Sequence, residues 1–235
     1  MTSAPTQLPP WRQSLRNSRL MILLDLALVA VVFAGVHYHW RFIVFSRTPY
    51  LLALAWISMR LRGISWRDLG LRFDAGWQRL IMVGIAAGFA MEALELFVTQ
   101  PLLVQLTGHY PDLADFKTLI GHPRVLLEAI AVSWLLAGVG EELVWRGHVM
   151  NRLADLWGRN RWGWAASLVL ANAAFGYAHV YQGATGMVEN FIDGALLGLL
   201  YLASGRNLWV PIVAHAMTDT LDSLIIFTGH YPGMH

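Results

Sequence analysis

Cysteine is absent from the 235 residues. Its absence excludes disulfide frameworks, thiolate metal sites, a cysteine nucleophile and a prenylated or palmitoylated cysteine on the chain itself. Charge is scarce as well: charged residues make up 14% and hydrophobic residues 56% of the chain, against about 25% and about 45–50% in an ordinary soluble domain. That balance excludes a soluble globule. Lys and Arg number 17 against 15 Asp and Glu, a net charge of +2. The balance is too even for a nucleic-acid binder, and the basic residues fall in separate segments rather than along one groove, so no nucleic-acid partner is expected. Internal repeats, low-complexity tracts and a separate soluble domain are missing too.

What the chain has instead is apolar blocks of about twenty residues, close to the length that crosses a hydrocarbon core roughly 30 Å thick as a helix. They run at about 20–38, 42–60, 80–99, 124–143, 163–180, 187–203 and 208–228. The expected fold is all-α, a polytopic transmembrane helical bundle of seven membrane helices. Residues 1–19 form an N-terminal segment with Pro5, Pro9, Pro10, Arg12, Arg16 and Arg19. No small-residue cleavage site follows a short apolar region there, so the first span is read as retained. A first group of transmembrane helices then occupies 20–119 and a second group 120–235.

The second block is the weakest, because Arg47 and Pro49 interrupt it and its clean part, Tyr50 to Met59, is short. Charge arithmetic restores it. The N-terminal segment carries arginines and no acid, and 60–79 carries five arginines against Asp68 and Asp74. Both are expected on the cytoplasmic side, and an even number of spans must separate them. Arg152, Arg159, Arg161 and Arg206 mark further basic connections, whereas 100–122 and 181–188 are not basic. The expected topology is a multi-pass protein of the cell (inner) membrane with its N-terminus cytoplasmic and its C-terminus outside. Trp40, Trp77, Trp162 and Trp209 near span ends suit an interfacial aromatic belt. The 100–122 connection, with Pro101, Gly108 and Pro111, has room for a short surface or re-entrant helix. His37, His39, His230 and His235 lie near expected interfaces and receive no role.

Charged groups at membrane depth cost at least about 2.5–3.5 kcal/mol each on insertion scales, so those present usually face a cavity or the bundle interior. Three clusters stand out. Gly140-Glu141-Glu142-Leu143-Val144-Trp145-Arg146 places Glu142 and Arg146 four apart on one helical face, while Glu141, about 100° round the helix, has no local partner. Phe175-Gly176-Tyr177-Ala178-His179 has Asn172 on nearly the same face as the histidine. His215-Ala216-Met217-Thr218-Asp219 is a second i,i+4 pair, in which the carboxylate can orient the imidazole, with Asp222 another turn along. If the helix of Glu141 continues past Arg146 to a turn at Gly158–Arg161, a symmetric hairpin sets Glu141 level with His179. His215 begins about 13 Å along its own helix.

A glutamate, two histidines and a fourth polar group suit amide hydrolysis, which needs a base for water and donors where the oxyanion develops. No serine nucleophile is evident. Zinc is the alternative, with Glu141, His179 and His215 as a three-ligand open site, although no His-Glu-x-x-His helix is present. Two non-hydrolytic readings compete: an immunity or scaffold protein, and a proton pathway using Asp25, Glu92, Glu95, Glu128 and Glu189. Against the first, intramembrane polar contacts average only about 0.6 kcal/mol. Against the second, those acids read more simply as span-end or interhelix groups.

In this order the clusters resemble the CPBP family, the CAAX-prenyl-protease and bacteriocin-processing group of intramembrane proteases. Its motifs appear here as Glu141-Glu142-x-x-x-Arg146, Phe175-x-x-x-His179 and His215-x-x-x-Asp219. Asp193 to Tyr201 and Leu208 to Ile212 also look like its last core helices, so the resemblance covers about 120–228 and makes 120–235 a catalytic core. It implies that Glu141 activates the attacking water with help from His179, that Glu142 and Arg146 hold the site, and that His215 with Asp219 binds the oxyanion. Asp219 stands where the best-known branch has Asn; an ionised carboxylate only accepts, so it is read as orienting His215. Phe175 and Asn172 are assigned to substrate binding. The implied partners are the bilayer and a peptide or protein substrate, CAAX-like or a leader peptide, lipidated or not. No cofactor is expected unless zinc is used. The resemblance also implies eight helices, the eighth to be sought in 100–122; the position of His215 along its helix suggests a cytoplasm-accessible cavity.

Overall fold

The computed structural model describes residues 8–38, 46–73 and 76–234. Of the described residues 80% are helical, and none of them lies in a strand. In chain order the helices are α1 (Pro10–Asn17), α2 (Arg19–Tyr38), α3 (Thr48–Arg62), α4 (Trp77–Thr107), α5 (Pro123–Leu156), α6 (Arg161–Ala178), α7 (Gly183–Ala203) and α8 (Trp209–Phe227). Proline opens several of them, Pro10 in α1, Pro49 in α3 and Pro123 in α5, where its missing N–H costs nothing. Pro49, which interrupts the apolar pattern of the second block, is therefore a helix starter. The side chain of Asn160 caps α6 by accepting from the amides of Trp162 (3.0 Å) and Gly163 (2.9 Å). Two long helices are locally widened into π-helix, α4 at Glu95–Thr99 and α5 at Ser133–Glu141 and Leu143–Val149.

The pattern of burial is that of a membrane protein. Leu24, Val31, Phe89, Phe97, Leu106 and Leu135 are exposed, while Glu142, Arg146, Arg152 and Asn172 are almost wholly buried. Apolar side chains turned outward in this number are stable only against lipid. α8 is the central helix, packed on α4, α5 and α7.

The seven or eight spans expected from the apolar blocks are not reached. Among the described residues four helices are long and apolar enough to cross a membrane, α4, α5, the Val180–Ala203 segment and α8, or five if the pair Pro10–Asn17 and Arg19–Gly35, bent by 66°, counts as one broken span. α3 has 15 residues, about 22 Å of helix against a core roughly 30 Å thick. α6 has the length, but its Gly, Ser and Asn positions keep it below the apolarity of a span. No eighth span lies in 100–122 either: α4 simply continues to Thr107, and a 3-10 turn follows at Ala114–Leu119. Residues 42–45 of the second block, and with them Pro5, His39, Trp40, Asp74 and His235, lie outside the described residues.

The connections sort into two ends as the charge pattern predicts. At one end Arg16 donates to the carbonyls of Arg62 (2.7 Å) and Gly63 (2.6 Å), Tyr201 to that of Leu69 (2.9 Å), and Asn207 to that of Arg72 (3.1 Å). This basic end gathers the N-terminal segment, the stretch after α3, and the α5–α6 and α7–α8 turns. Asp68 in it accepts from the amide (2.8 Å) and hydroxyl (2.7 Å) of Ser65, bonds that hold its carboxyl below the usual carboxylate range. At the other end the Asp112 amide donates to Gln182 (2.9 Å), the Gly121 amide to Phe227 (3.0 Å) and the Thr185 hydroxyl to His109 (2.8 Å).

Asp25, read from the sequence as an interhelix group, locks the basic end. It accepts from Arg152 (2.7 Å) and from Ser58 (2.7 Å), with His148 at 3.6 Å and Arg62 at 3.9 Å. Arg152 also donates to the carbonyls of Leu15 (3.0 Å) and Arg16 (3.2 Å), so one buried guanidinium joins α1, α2 and α5.

A cysteine-free chain makes the two-ended arrangement directly testable. Single Ser14→Cys and Ser65→Cys variants should react with a membrane-impermeant maleimide from one side of sealed vesicles, and Thr118→Cys and Thr228→Cys from the other. Labelling of Ser65→Cys and Thr228→Cys from the same side would contradict it.

Candidate active site

The site is built on α5, which runs without a break from Pro123 to Leu156, as the hairpin argument requires. The following turn leads into α6 at Arg161, and both Glu141 and His179 face one cavity.

Glu142 and Arg146 form the pair expected from their spacing: Arg146 Nη1 donates to Glu142 Oε1 at 2.5 Å, with both side chains essentially unexposed. A lone pair of this kind would repay little of its desolvation. Arg146 is not left with one partner, however. Its Nη2 donates to Asn172 Oδ1 on α6 (3.2 Å) and to the Gly194 carbonyl on α7 (2.7 Å), and its guanidinium lies over the Phe175 ring at 4.9 Å. Gly194 permits this approach, because a Cβ there would stand 2.7 Å from Asn172 Oδ1 and 2.9 Å from Phe175 Cδ1. Asn151 supports the widened turn from below by donating to the Arg146 carbonyl (2.9 Å).

The same Glu142 oxygen contacts His215 Nδ1 on α8 at 2.9 Å. This changes the expected pairing of His215. Asp219 Oδ1 is 3.7 Å from Nε2, beyond hydrogen-bond length, so Glu142 rather than Asp219 orients the imidazole. Because a carboxylate only accepts, Nδ1 carries a proton and Nε2 faces the cavity. His179 is fixed likewise: its Nδ1 is 2.9 Å from the Phe175 carbonyl, which makes Nδ1 the donor and leaves Nε2 free.

Glu141, without a partner on its own helix, receives one from α3, the Thr48 hydroxyl donating to Oε1 at 3.1 Å. Gly140 makes room for it, since a Cβ at that position would lie 2.6 Å from Thr48 Cγ2. Sequence reasoning missed Thr48, which stands at the start of the weakest apolar block; the Gly-Glu-Glu run was the one signal of a close helix approach beside the carboxylate. Arg47 donates to the Ala178 carbonyl and holds the start of α3 against the end of α6.

Exposure divides these residues by task. Glu141, His179 and Asp219 are half-buried, and with His215 and Phe175 they line a cavity of about 400 Å³. Glu142, Arg146 and Asn172 stand behind its wall and are not among the lining residues. Asn172 thus holds Arg146 rather than facing substrate space, and Phe175 packs edge-on against Trp145 (5.8 Å between ring centres) and beside His179 (4.9 Å). The cavity extends to Leu113, Phe116, Gln182 and Tyr231, all at the end opposite the basic connections. The described lining therefore reaches away from the end where the basic connections and the Asp25–Arg152 cluster lie.

Zinc coordination at Glu141, His179 and His215 requires three donors converging on one point. Among the described residues one group of three or more histidine or acidic side chains has all its donor atoms within 4.8 Å of one another, and it is Glu92, Glu95 and Asp222. Glu141, His179 and His215 do not form such a group among the described residues.

Glu141, His179 and His215 thus meet on one polar cavity of a helical bundle that turns many apolar side chains outward. Residues 123–221, from the start of α5 into α8, match the family described as Type II CAAX prenyl endopeptidase Rce1-like, which bears out the resemblance carried by the three motifs. No curated protein and no solved structure matches the chain.

Removing one partner of a buried pair costs about 3–5 kcal/mol because the other charge is stranded. Arg146→Met should lower unfolding stability by that amount, and Arg146→Met combined with Glu142→Gln should cost clearly less than the sum of the single changes. Denaturant unfolding in mixed micelles measures the cycle; additive losses would show that the pair is not coupled.

Proposed function

We propose that the protein is an intramembrane endopeptidase that hydrolyses a peptide bond of a membrane-associated substrate with water activated by Glu141. The observation that carries this reading is the meeting of Glu141, His179, His215 and Asp219 on one cavity inside a lipid-exposed bundle. The family matched by α5 to α8 supports the same chemistry.

In the proposed mechanism Glu141, steadied by Thr48, takes a proton from a water molecule that also donates to Nε2 of His179. The hydroxide adds to the substrate carbonyl, and charge develops on its oxygen. For His215 to donate to that oxygen from Nε2 while Nδ1 donates to Glu142, the ring must carry both protons, and Glu142 and Asp219 supply the countercharge. The intermediate collapses as Glu141 returns its proton to the leaving amine, the usual double duty of a general base. A preorganised donor of this type typically contributes about 10²–10³ in rate.

By the positive-inside rule the basic end is cytoplasmic, which puts the N-terminus in the cytoplasm of a cell (inner) membrane and the C-terminus outside. The cavity then faces the other side, and a peptide reaches it from there or from the bilayer. A CAAX-like tail or a leader peptide, lipidated or not, fits a cavity with both polar groups and apolar walls.

Membranes containing wild type, Glu141→Gln or His179→Ala at matched levels should differ in newly formed peptide termini. Those termini should appear with wild type alone, Glu141→Gln should be at least about 100-fold slower, and the fold of each variant should be intact by thermal unfolding. Full activity in Glu141→Gln would rule the mechanism out, and no difference between any of the membranes would favour the immunity or scaffold reading.

A further inference from the structure

Beside the cavity, and partly lining it, lies a second set of side chains that peptide hydrolysis does not use. Glu92 and Glu95 on α4 and Asp222 on α8 bring one carboxylate oxygen each to within 4.8 Å of the others. Glu92 and Glu95 are 5% and 6% exposed. Carboxylates this close in a low-dielectric interior cannot all stay ionised unless something positive lies between them. Among the described residues no arginine, lysine or histidine forms an ion pair with any of the three. Neither oxygen of Glu92, nor Oδ1 of Asp222, has a hydrogen-bond partner. Buried acceptors left bare in this way cost free energy that a ligand would recover.

A separate observation on a third helix points the same way. Glu189 on α7 lies outside the group of three, is 5% exposed, lines the same cavity as Glu95 and Asp222, and leaves its Oε1 without a partner. Asp193, one turn further along α7, lines it too. Glu95 is held in place from outside the cluster: Tyr231 donates to its Oε1 at 3.0 Å, and Gln100 stands 3.4 Å from the Tyr231 hydroxyl. Carboxylates that bind metals are characteristically oriented by such outer hydrogen bonds.

We infer that Glu92, Glu95 and Asp222, with Glu189 beside them, bind one hard divalent cation. The donor set is all oxygen, with no imidazole or sulfur, which suits Ca²⁺, Mg²⁺ or Mn²⁺ rather than Zn²⁺ or Cu²⁺. Cavity water completes the coordination that three or four carboxylates leave open. The ion joins α4, α7 and α8 at the end of the bundle away from the Asp25–Arg152 cluster, and the inference does not depend on peptidase activity.

The test is titration of the purified full chain in lipid nanodiscs with Mn²⁺, followed by electron paramagnetic resonance, with Ca²⁺ and Mg²⁺ as competitors. One Mn²⁺ per chain should bind saturably and be displaced by Ca²⁺ or Mg²⁺. Glu92→Gln and Asp222→Asn should each weaken it at least tenfold, and Glu141→Gln should leave it unchanged. A readout that leaves the cluster intact comes from a single nitroxide. On Thr228→Cys, six residues and about 9 Å of helix beyond Asp222, its signal should be broadened by bound Mn²⁺; on Ser65→Cys it should not. No saturable binding to wild type, binding lost in Glu141→Gln, or broadening at Ser65→Cys would each overturn the inference.

Discussion

The structure turns on one guanidinium. Arg146 sits on α5 and draws in Glu142 from its own helix, Asn172 from α6 and a backbone carbonyl from α7, and Glu142 passes the constraint on to His215 of α8. Four helices thereby share one hydrogen-bonded network in an interior where any unsatisfied member is costly. Lipid supplies no hydrophobic drive to hold helices together, so the bundle depends on such polar links for its registry. Glu141 and His179, which line the cavity, need only attach to a frame already set by Arg146.

The two ends of the bundle have different tasks. At the basic end Asp25, Arg62, His148 and Arg152 make a compact charged cluster with the N-terminal segment folded over it. Toward the other end lies a cavity lined by side chains from α4, α5, α6, α7 and α8. Rigidity at one end and an open interior at the other both come from ionisable residues. The difference is one of stoichiometry: arginine and carboxylate meet at the closed end, and carboxylates predominate at the open one.

Much of this was legible in the residues. The four-residue spacing of Glu142 and Arg146, the absence of proline and glycine from His148 to Ala154, and the basic connections gave the buried pair, the long helix and the two-ended layout, because each depends on local periodicity or on charge counting. What failed depended on which helices touch. His215 pairs with Glu142, 73 residues away, in preference to Asp219 one turn on; no spacing rule can rank a partner on another helix. Asn172 shares a face with His179 but faces Arg146. Glu92, Glu95 and Glu189 read as span-end or interhelix acids, and Asp222 as a further turn of the His215–Asp219 face, because the four come from three helices. The span count fell short where α3 proved too short and α6 too polar, properties that a sliding apolar window averages away.

The π-helical stretches of α5 set an angular phase. Each widened turn accommodates a residue beyond the α-helical repeat, equivalent to an insertion that rotates all that follows by about 100°. α5 has to present Glu141 to the cavity, Arg146 to α6 and α7, and Arg152 to Asp25 on α2, three bearings that a regular repeat would tie rigidly together. With one widened segment ending at Glu141 and another running from Leu143 to Val149, the bearing of Glu141 and that of Arg146 are set by different segments, like two scales of a vernier. Sequence drift in the anchor can then be absorbed by a one-residue adjustment of the helix without turning the glutamate away from the cavity.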